Sequence, residues 1–431
     1  MRTYTRTLLT TSVVLAAVMA FQAPMVSSRA AAGDNAVVQW NATALNTVLA
    51  SGARATPSAA ILYVAIVHAA VFDAVMAIEG SHEPYAFDGD AASGASVDAA
   101  VAAAAHDVLV HYFNSEAQKS ALDAAYSASL ATIPDGASET DGVSVGQRAA
   151  AAVIAHRADD GRDRVVPSPV DGDEPGEWRR TSGPADGPAV TPYVAHVTPF
   201  LVSSPEQFRP KGPNPLTSKE YAEEFERTRL YGALNSPVRS EAQTEIAKFW
   251  TENTVGQYNR ALRVLANARG LSVGQSALLF ATTDVPAADA MITCWNTKYH
   301  YLAWRPVTAI QQADHDGNDR TKGDPEWQPL SPTGLHPEYT SGHACLTGAI
   351  TRGLREFLGT KDIDFTMTST MGTPSTADDK THYFATVDDL RTEVEDARVY
   401  GGDHWDTGGT DGTDLGDRLA DWALKRFFER V

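Results

Sequence analysis

The C-terminal part of the sequence places cationic residues at a spacing that could bind an anion. Lys298 and Arg305 stand seven residues apart in KYHYLAWRP, so two helical turns would return them to nearly the same helix face. The aromatic and apolar neighbours predict that this helix is mostly buried, and buried cations require an anionic partner. Positions four residues before and after Lys298 hold Cys294 and Leu302 rather than carboxylates. The anion could therefore come from outside the chain; the alternative is an exposed cation pair on a solvated face.

The stretch LHPEYTSGHACLTGA, residues 335–349, combines the start of a helix with residues suited to a ligand. Ser341 is a suitable N-cap for the apolar helical pattern that follows. Gly342 allows a backbone amide to approach a ligand closely, and helix N-termini attract anions. His343 would then lie in the first turn, beside the bound group. The alternative is an ordinary cap followed by a histidine with a structural role.

A third segment, VDDLRTEVEDARVYGGDHWD, brings another arginine and histidine to the end of a helix. Thr386 and Asp389 fit a capping box, and a glycine pair after Tyr400 ends the helix. Arg398 lies near that C-terminus, and His404 follows the glycines. The alternative is an arginine that complements the helix dipole and a histidine on the surface.

Taken in chain order, the three segments resemble the signature of vanadium-dependent haloperoxidases and type 2 phosphatidic acid phosphatases. That signature is K-x6-R-P, then P-S-G-H, then S-R-x5-H. This chain has Lys298-x6-Arg305-Pro306, Ser341-Gly342-His343 and Arg398-x5-His404. Upstream segments such as NAVVQWNATALNTVLA and VHAAVFDAVMAIEG also look like bacterial haloperoxidase relatives, so the resemblance spans most of the chain.

The resemblance implies a site for a tetrahedral oxyanion, vanadate or phosphate. Cationic side chains would neutralise its oxygens, and a hydroxyl and a backbone amide would add hydrogen bonds. These roles would fall to Lys298, Arg305 and Arg398, and to Ser341 and Gly342. His404 would bind vanadium through an axial nitrogen, or act as the nucleophile in a phosphatase. His343 would be the acid and base.

The chain departs from the family pattern at three positions. Thr340 replaces the proline before Ser-Gly-His, and Ala397 replaces the serine before Arg398. Some family members carry an acidic residue four positions after the last histidine, where this chain has Gly408. The orientation of His404 would then depend on Asp403, on Asp406 or on a backbone carbonyl.

Two further residues favour the peroxidase over the phosphatase. His336 matches the first histidine of the HPxYPSGHA segment in bromoperoxidases, and Trp295 matches an active-site tryptophan position in chloroperoxidases. Both would line a halide pocket; otherwise His336 packs under Pro337 and Trp295 belongs to the core.

The resemblance thus implies a haloperoxidase with a vanadate cofactor, which oxidises halide, with bromide favoured, by hydrogen peroxide to hypohalous acid. A small organic acceptor would be halogenated. The alternatives are a phosphomonoesterase that works through a phospho-histidine and a non-catalytic protein that binds oxyanions.

The sequence patterns predict that the elements which position these residues are helices. Apolar residues recur every three or four positions in segments such as 63–80, 96–113 and 143–161, and their high alanine content favours closely packed helices. The pattern predicts an all-α fold, and the family resemblance implies two four-helix bundles with the site in the second.

A proline-rich stretch separates two helical regions. Eleven of the 23 prolines fall within residues 161–215, which excludes a regular helix there. Trp178, Phe200 and other apolar residues in this stretch favour an arm packed on the helices over a free linker. We expect an N-terminal helical region over 33–160, the arm or connection over 161–215, and the site-bearing helical region over 216–431.

The net charge of the chain and its N-terminal segment indicate which binding partners and which cellular compartment to expect. The formal net charge of −19 disfavours nucleic acid and anionic membranes as partners. Residues 1–32 open with Arg2 and Arg6, continue with an apolar run and end in small residues, which is typical of a secretory signal peptide and predicts a secreted or periplasmic protein. Cys294 and Cys345 are the two cysteines, and they could form a disulfide or remain buried thiols. The oligomeric state is not predicted.

Overall fold

Helices form most of the structure, a computed structural model that describes residues 35–181, 188–370 and 381–431. The all-α prediction is confirmed for these residues. Their α-helices are, in chain order, Ala36–Leu49 (α1), Pro57–Glu79 (α2), Val97–Tyr112 (α3), Glu116–Leu130 (α4), Ala137–His156 (α5), Lys219–Tyr231 (α6), Glu241–Phe249 (α7), Thr254–Ala268 (α8), Val273–Tyr301 (α9), Pro306–Gln312 (α10), Gly342–Leu358 (α11), Val387–Gly401 (α12) and Asp406–Leu424 (α13).

The helices form two groups that meet along α2 and α9. In the first group, α1, α2, α3 and α5 pack together and α4 covers α3; in the second, α9, α11, α12 and α13 pack together. Small residues make these contacts close. A Cβ atom at Gly348 of α11 would lie 2.2 Å from the carbonyl oxygen of Thr413 in α13. The alanine and glycine content therefore sets how near the helix axes can approach.

Two of these helices are apolar enough to resemble membrane spans. The most apolar 18-residue windows of α2 and α9 are 89% and 94% buried inside the protein, respectively. Their apolar surface is thus covered by other helices of the same chain, as in the core helices of a large bundle.

A two-stranded antiparallel sheet lies outside the all-α prediction. It pairs Asp362–Thr368 (β1) with Thr381–Thr386 (β2) and packs against α8 and α12. Ile363, Phe365 and Met367 of β1 are buried while the residues between them are not, which is the two-residue alternation of a half-buried strand.

Part of the proline-rich stretch packs on the helices, because several of its apolar residues are buried, although Val165 and Val170 are exposed. Trp178, Phe200 and Leu201 have 2%, 6% and 5% of their surface exposed. Asp289 of α9 accepts hydrogen bonds from the backbone amides of Phe200, Leu201 and Val202 at 2.5, 2.7 and 3.0 Å. One buried carboxylate thereby satisfies three amides of a segment that has no helix of its own there. The division into regions 33–160, 161–215 and 216–431 remains a prediction.

The helix ends confirm two predictions and correct one. Ser341 caps α11, and Thr386 with Asp389 forms the capping box of α12. The shared helix face of Lys298 and Arg305 is wrong. Leu302 adopts a left-handed conformation with φ of 49°, which ends α9 before Arg305, and Pro306 starts α10.

The two cysteines are free thiols that meet at one hydroxyl group. Cys294 of α9 and Cys345 of α11 are buried, and their sulfur atoms lie 3.4 and 3.2 Å from Oγ1 of Thr340. The structure therefore shows contact between thiols and a hydroxyl group rather than a disulfide. The predicted signal peptide, residues 1–32, lies outside the described residues.

Candidate active site

A cavity of about 440 Å³ opens where α9, α11 and the segment after α12 converge. Eight of the residues singled out from the sequence line it, namely Trp295, Arg305, His336, Gly342, His343, Arg398, Asp403 and His404. The rest of the wall comes from the start of α2, the arm, the start of α8 with the segment before it, α9 and the segment before α11, through Pro57, Ser58, Val190, Trp250, Thr251, Thr254, Met291, Ser331, Pro332 and Gly334. Residues that are far apart in the sequence thus share one chamber.

Two predicted oxyanion ligands do not line this cavity. Ser341 accepts a hydrogen bond from the amide of Ala344 at 3.5 Å, and its own amide donates to the carbonyl of Gly408 at 2.8 Å. Lys298 Nζ donates to the carbonyls of Pro337 and Glu338, each at 2.9 Å. Both residues are fully buried and hold the loop before α11. Lys298 can still act through its positive charge, although burial lowers its pKa to about 8.

Arg305 connects three parts of the site through its guanidinium group. Its Nε donates to the carbonyl of His336 at 2.8 Å, and Nη2 lies 2.9 Å from Nδ1 of the same histidine. Its Nη1 donates to the carbonyl of Asp403 at 2.9 Å and lies 3.2 Å from Nε2 of His404. Burial lowers its pKa to about 10, which still leaves the group charged at neutral pH.

Arg398 is held by Asp403. Its Nη2 donates to Oδ2 of Asp403 at 2.5 Å, and Nη1 donates to the carbonyl of Trp250 at 3.3 Å. Its buried Nε has no hydrogen-bond partner. The hypothesis that Asp403 orients His404 is therefore wrong, because this carboxylate is paired with an arginine.

Glu338, which the sequence analysis did not single out, contacts the imidazole of His404. Oε1 of Glu338 lies 2.8 Å from Nδ1 of His404, and both residues are buried. The alternative in which Asp406 orients His404 is also wrong, because Asp406 pairs with Arg227. A clue existed in the sequence: Glu338 is the carboxylate inside LHPEYTSGH, two residues after His336.

His343 presents a free ring nitrogen. Its Nε2 is buried without a hydrogen-bond partner, while the ring also faces the backbone carbonyl of Trp250. Burial and the positive charge of Arg398 hold its pKa well below the usual value, so the imidazole is neutral. A neutral imidazole with one unpaired nitrogen on a cavity wall can accept or donate a proton there.

His336 and Trp295 are neighbours on the cavity wall, next to the cationic groups of Arg305 and Lys298. Their ring centroids are 5.1 Å apart, and the indole Nε1 donates to the carbonyl of Val190 in the arm at 3.2 Å. Burial and the charges of Arg305 and Lys298 keep the pKa of His336 well below its usual value. Both residues line the cavity, and their role in a halide pocket stays a prediction.

The charges and donors around the cavity fit a bound oxyanion. Three cations, Lys298, Arg305 and Arg398, stand against two buried carboxyl groups, Glu338 and Asp403. Nε of Arg398 and Nε2 of His343 are unpaired polar atoms, and α11 directs its N-terminus at the same space. An anion with several oxygen atoms would pair these groups and balance the excess positive charge.

Comparisons with known proteins find similarity over the part of the chain that contains most of these residues. Residues 278–431 match the family model described as the VCPO second helical-bundle domain. Vanadium chloroperoxidase of Curvularia inaequalis is 30% identical over 152 residues, which cover 29% of this chain and 24% of that protein. The chain thus aligns with about a quarter of the length of this curated relative.

Solved structures extend the similarity to the whole fold. A bacterial vanadium-dependent iodoperoxidase has a TM-score of 0.73 at 21% identity, over 92% of this chain and 95% of its own. A holo-type bacterial vanadium-dependent chloroperoxidase has a TM-score of 0.70 at 20% identity, over 91% of this chain and 97% of its own. At such identities the likeness shows a common fold. Residues 278–431 are thus similar to the second helical-bundle domain of vanadium chloroperoxidase, and the chain shares the fold of the bacterial vanadium-dependent iodoperoxidase and chloroperoxidase.

Proposed function

We propose that this protein is a vanadate-dependent haloperoxidase that uses hydrogen peroxide to oxidise halide, with bromide favoured, to hypohalous acid. The observation that carries this proposal is the cavity in which the neutral imidazoles of His343 and His404 stand among buried cations. The name of the curated relative and the names of the structural neighbours support vanadate as the cofactor.

Each residue of the cavity would have a role that follows from its chemistry. Bound vanadate would supply a Lewis-acid centre that activates hydrogen peroxide toward halide. His404 would hold it through Nε2, while Arg305, Arg398 and the amide of Gly342 bind its oxygens. Lys298 adds positive charge from behind the wall. His343, with its unpaired Nε2, would take a proton from hydrogen peroxide and return one to the departing oxygen.

A halide would bind against the wall that His336 and Trp295 form. Met291 lies on the same cavity, so this wall offers polarisable and apolar groups beside the cations. Stripping water from a halide is less costly for a larger ion, which supports bromide over chloride. A small organic acceptor would then react with the hypohalous acid.

A paired assay on the purified protein tests the proposal. One arm contains orthovanadate, hydrogen peroxide and bromide and follows bromination of a phenol dye; the other omits vanadate and follows hydrolysis of an aryl phosphate. We expect bromination that requires vanadate and disappears in His404→Ala. Phosphate release without bromination would favour the phosphatase instead. Tight vanadate binding without turnover in either arm would favour a non-catalytic oxyanion-binding protein.

We also propose that the protein is secreted or periplasmic. The support is the sequence of residues 1–32, with its early arginines, apolar run and alanine-rich end. Expression of the full chain in a bacterial host, followed by N-terminal sequencing of the exported protein, tests this. A mature protein that starts near Gly33 is expected, and full-length protein retained in the cytoplasm would contradict export.

A further inference from the structure

We propose that Glu338 is the positioning residue for His404, and that Gly408 is a glycine because the carboxyl group of Glu338 occupies the space beside it. The inference rests on the proposed function as far as vanadate is concerned. Its structural part, the orientation and protonation of the imidazole, can be measured without vanadate.

The neighbours of His404 determine which ring nitrogen carries the proton. Nη1 of Arg305 lies 3.2 Å from Nε2, and an arginine can only donate, so Nε2 must present its lone pair. The single proton is therefore on Nδ1, which donates to Oε1 of Glu338 at 2.8 Å. This is the tautomer that leaves Nε2 free to bind a metal centre.

Hydrogen bonds hold both the backbone and the carboxyl group of Glu338. Its backbone amide donates to the carbonyl of Ala303 at 2.9 Å, and its carbonyl accepts from Nζ of Lys298 at 2.9 Å. Oε1 also accepts from the amide of Trp405, the residue after His404, at 3.2 Å. Lys298 thus fixes the loop that carries the carboxyl group, and the carboxyl group fixes both the backbone and the ring at His404.

The position of Gly408 shows how closely this carboxyl group fits. A Cβ atom on Gly408 would lie 2.3 Å from Oε1 of Glu338 and 3.1 Å from its Cδ, well inside van der Waals contact. Glu338 is fully buried and cannot move into solvent. Any side chain at position 408 therefore displaces the carboxyl group from His404. Conversely, a short carboxylate at 408 would point into the same space once the side chain of Glu338 is removed.

This geometry defines a relocation experiment with four variants. Glu338→Ala removes the acceptor, Glu338→Gln keeps an acceptor oxygen, and Gly408→Asp inserts a side chain beside the intact Glu338. The double variant Glu338→Ala with Gly408→Asp supplies the carboxylate from position 408 instead of position 338. Glu224→Ala is the matched control, because Glu224 is also buried and accepts from the amide of Thr407 at 3.0 Å, while its other oxygen meets Asn214.

The first readout is the affinity for orthovanadate, measured by isothermal titration calorimetry on each folded variant. We expect Glu338→Ala to weaken binding about 10–100-fold, as loss of a ligand's supporting group does, and Glu338→Gln to weaken it less. The double variant should recover much of the loss, while Gly408→Asp alone should lower both affinity and melting temperature. Glu224→Ala should lower the melting temperature without changing the affinity.

The second readout is the tautomer of His404 in the protein without vanadate, from ¹⁵N NMR of labelled histidines assigned with His404→Gln. The wild type should show a protonated Nδ1, and Glu338→Ala should lose that preference. Vanadate affinity and tautomer that are unchanged in a folded Glu338→Ala variant would overturn the inference. A wild-type protein that binds no vanadate would contradict the proposed function, and the NMR result would then decide the role of Glu338.

Discussion

His343 and His404 share one cavity but differ in what their ring nitrogens meet. Both are neutral, because burial and the surrounding cations lower their pKa values. His404 has partners on both sides, a carboxyl oxygen at Nδ1 and the guanidinium of Arg305 at Nε2. His343 has an unpaired Nε2. The first arrangement suits a fixed ligand, and the second suits a group that exchanges protons with a bound reactant.

This difference predicts that His343→Ala separates binding from turnover. The variant should bind orthovanadate nearly as well as the wild type, because His404 and the cations remain. Its kcat for bromide oxidation should fall by about 10²–10⁴, the usual contribution of a general acid or base. Calorimetry gives the affinity and a bromination assay gives kcat. His404→Ala is the reference, since it should lose both properties; equal loss of affinity in His343→Ala would assign His343 a ligand role instead.

The sequence identified every charged residue and every histidine that lines the cavity, but not the contact that orients His404. Lys298, Arg305, Arg398 and the histidines could be recognised because their types and spacings are regular. Glu338 is 66 residues from the histidine it contacts, and the contact exists because the fold brings two loops together. Gly408 showed that a nearby carboxylate was missing, but not where a replacement would come from.

At the scale of elements, helix starts were predictable and one helix end was not. Caps such as Ser341 and Thr386 depend on local hydrogen bonds, which residue type determines. Leu302 ends α9 in a left-handed conformation that non-glycine residues rarely adopt. No residue in YHYLAW signals such an end, so continuing the helix to Arg305 was the natural error.

The two-stranded sheet, which the sequence patterns did not predict, supports one wall of the cavity. His382 of β2 lies between two carboxylates, Glu393 of α12 at 2.7 Å and Glu245 of α7 at 2.9 Å. Its ring stacks on Phe249, with centroids 3.8 Å apart, and Glu393 also accepts from the indole of Trp250 at 3.0 Å. Trp250 in turn lines the cavity and provides its carbonyl to Arg398.

We therefore predict a pH-dependent contribution of His382 to stability. Burial lowers its pKa, but the hydrogen bonds and charges of Glu393 and Glu245 outweigh this, so the net pKa is raised. A raised pKa stabilises the folded protein fully below the unfolded value of about 6.5, and the gain is lost as pH rises through the folded pKa. His382→Gln should cost about 1 kcal/mol in free energy of unfolding near pH 6 and less at pH 9.

Urea unfolding of wild type and variant at the two pH values measures this difference. His82→Gln is a control of opposite sign, because burial and the charge of Arg430 lower the pKa of His82. Its loss should favour the folded state as the pH falls. An effect of His382→Gln that is equal at pH 6 and pH 9 would mean that stacking on Phe249, rather than the ion pairs, carries the stabilisation.

At the scale of the whole molecule, an acidic protein surrounds a cationic cavity. The net charge of −19 belongs to the chain as a whole, while Arg305 and Arg398 face the chamber and Lys298 lies behind it. Composition predicts that polyanions are poor partners, yet it could not show where positive charge concentrates. The helical patterns gave the class of fold, whereas the path of the arm depends on contacts with α9 that sequence spacing does not encode.

The arm yields a prediction about long-range structure, because Asp289 anchors it and Val190 of the arm lines the cavity. Asp73 of α2 is a matched control within the same chain: it accepts from the amides of Tyr85, Ala86 and Phe87 at 2.6, 2.8 and 2.8 Å, and burial raises the pKa of both carboxyl groups to about 6. Each carboxyl group thus satisfies three amides of a non-helical segment.

Asp289→Asn and Asp73→Asn should both lower the free energy of unfolding by about 2–4 kcal/mol, since each leaves buried amides without an acceptor. Only Asp289→Asn should release the arm, which would speed proteolysis within residues 161–215 and raise KM for bromide through displacement of the wall at Val190. Urea unfolding, limited proteolysis with mass spectrometry and bromination kinetics test the three effects. If Asp73→Asn changed proteolysis of the arm and KM equally, general loss of stability would explain both, and the arm would not form a functional wall.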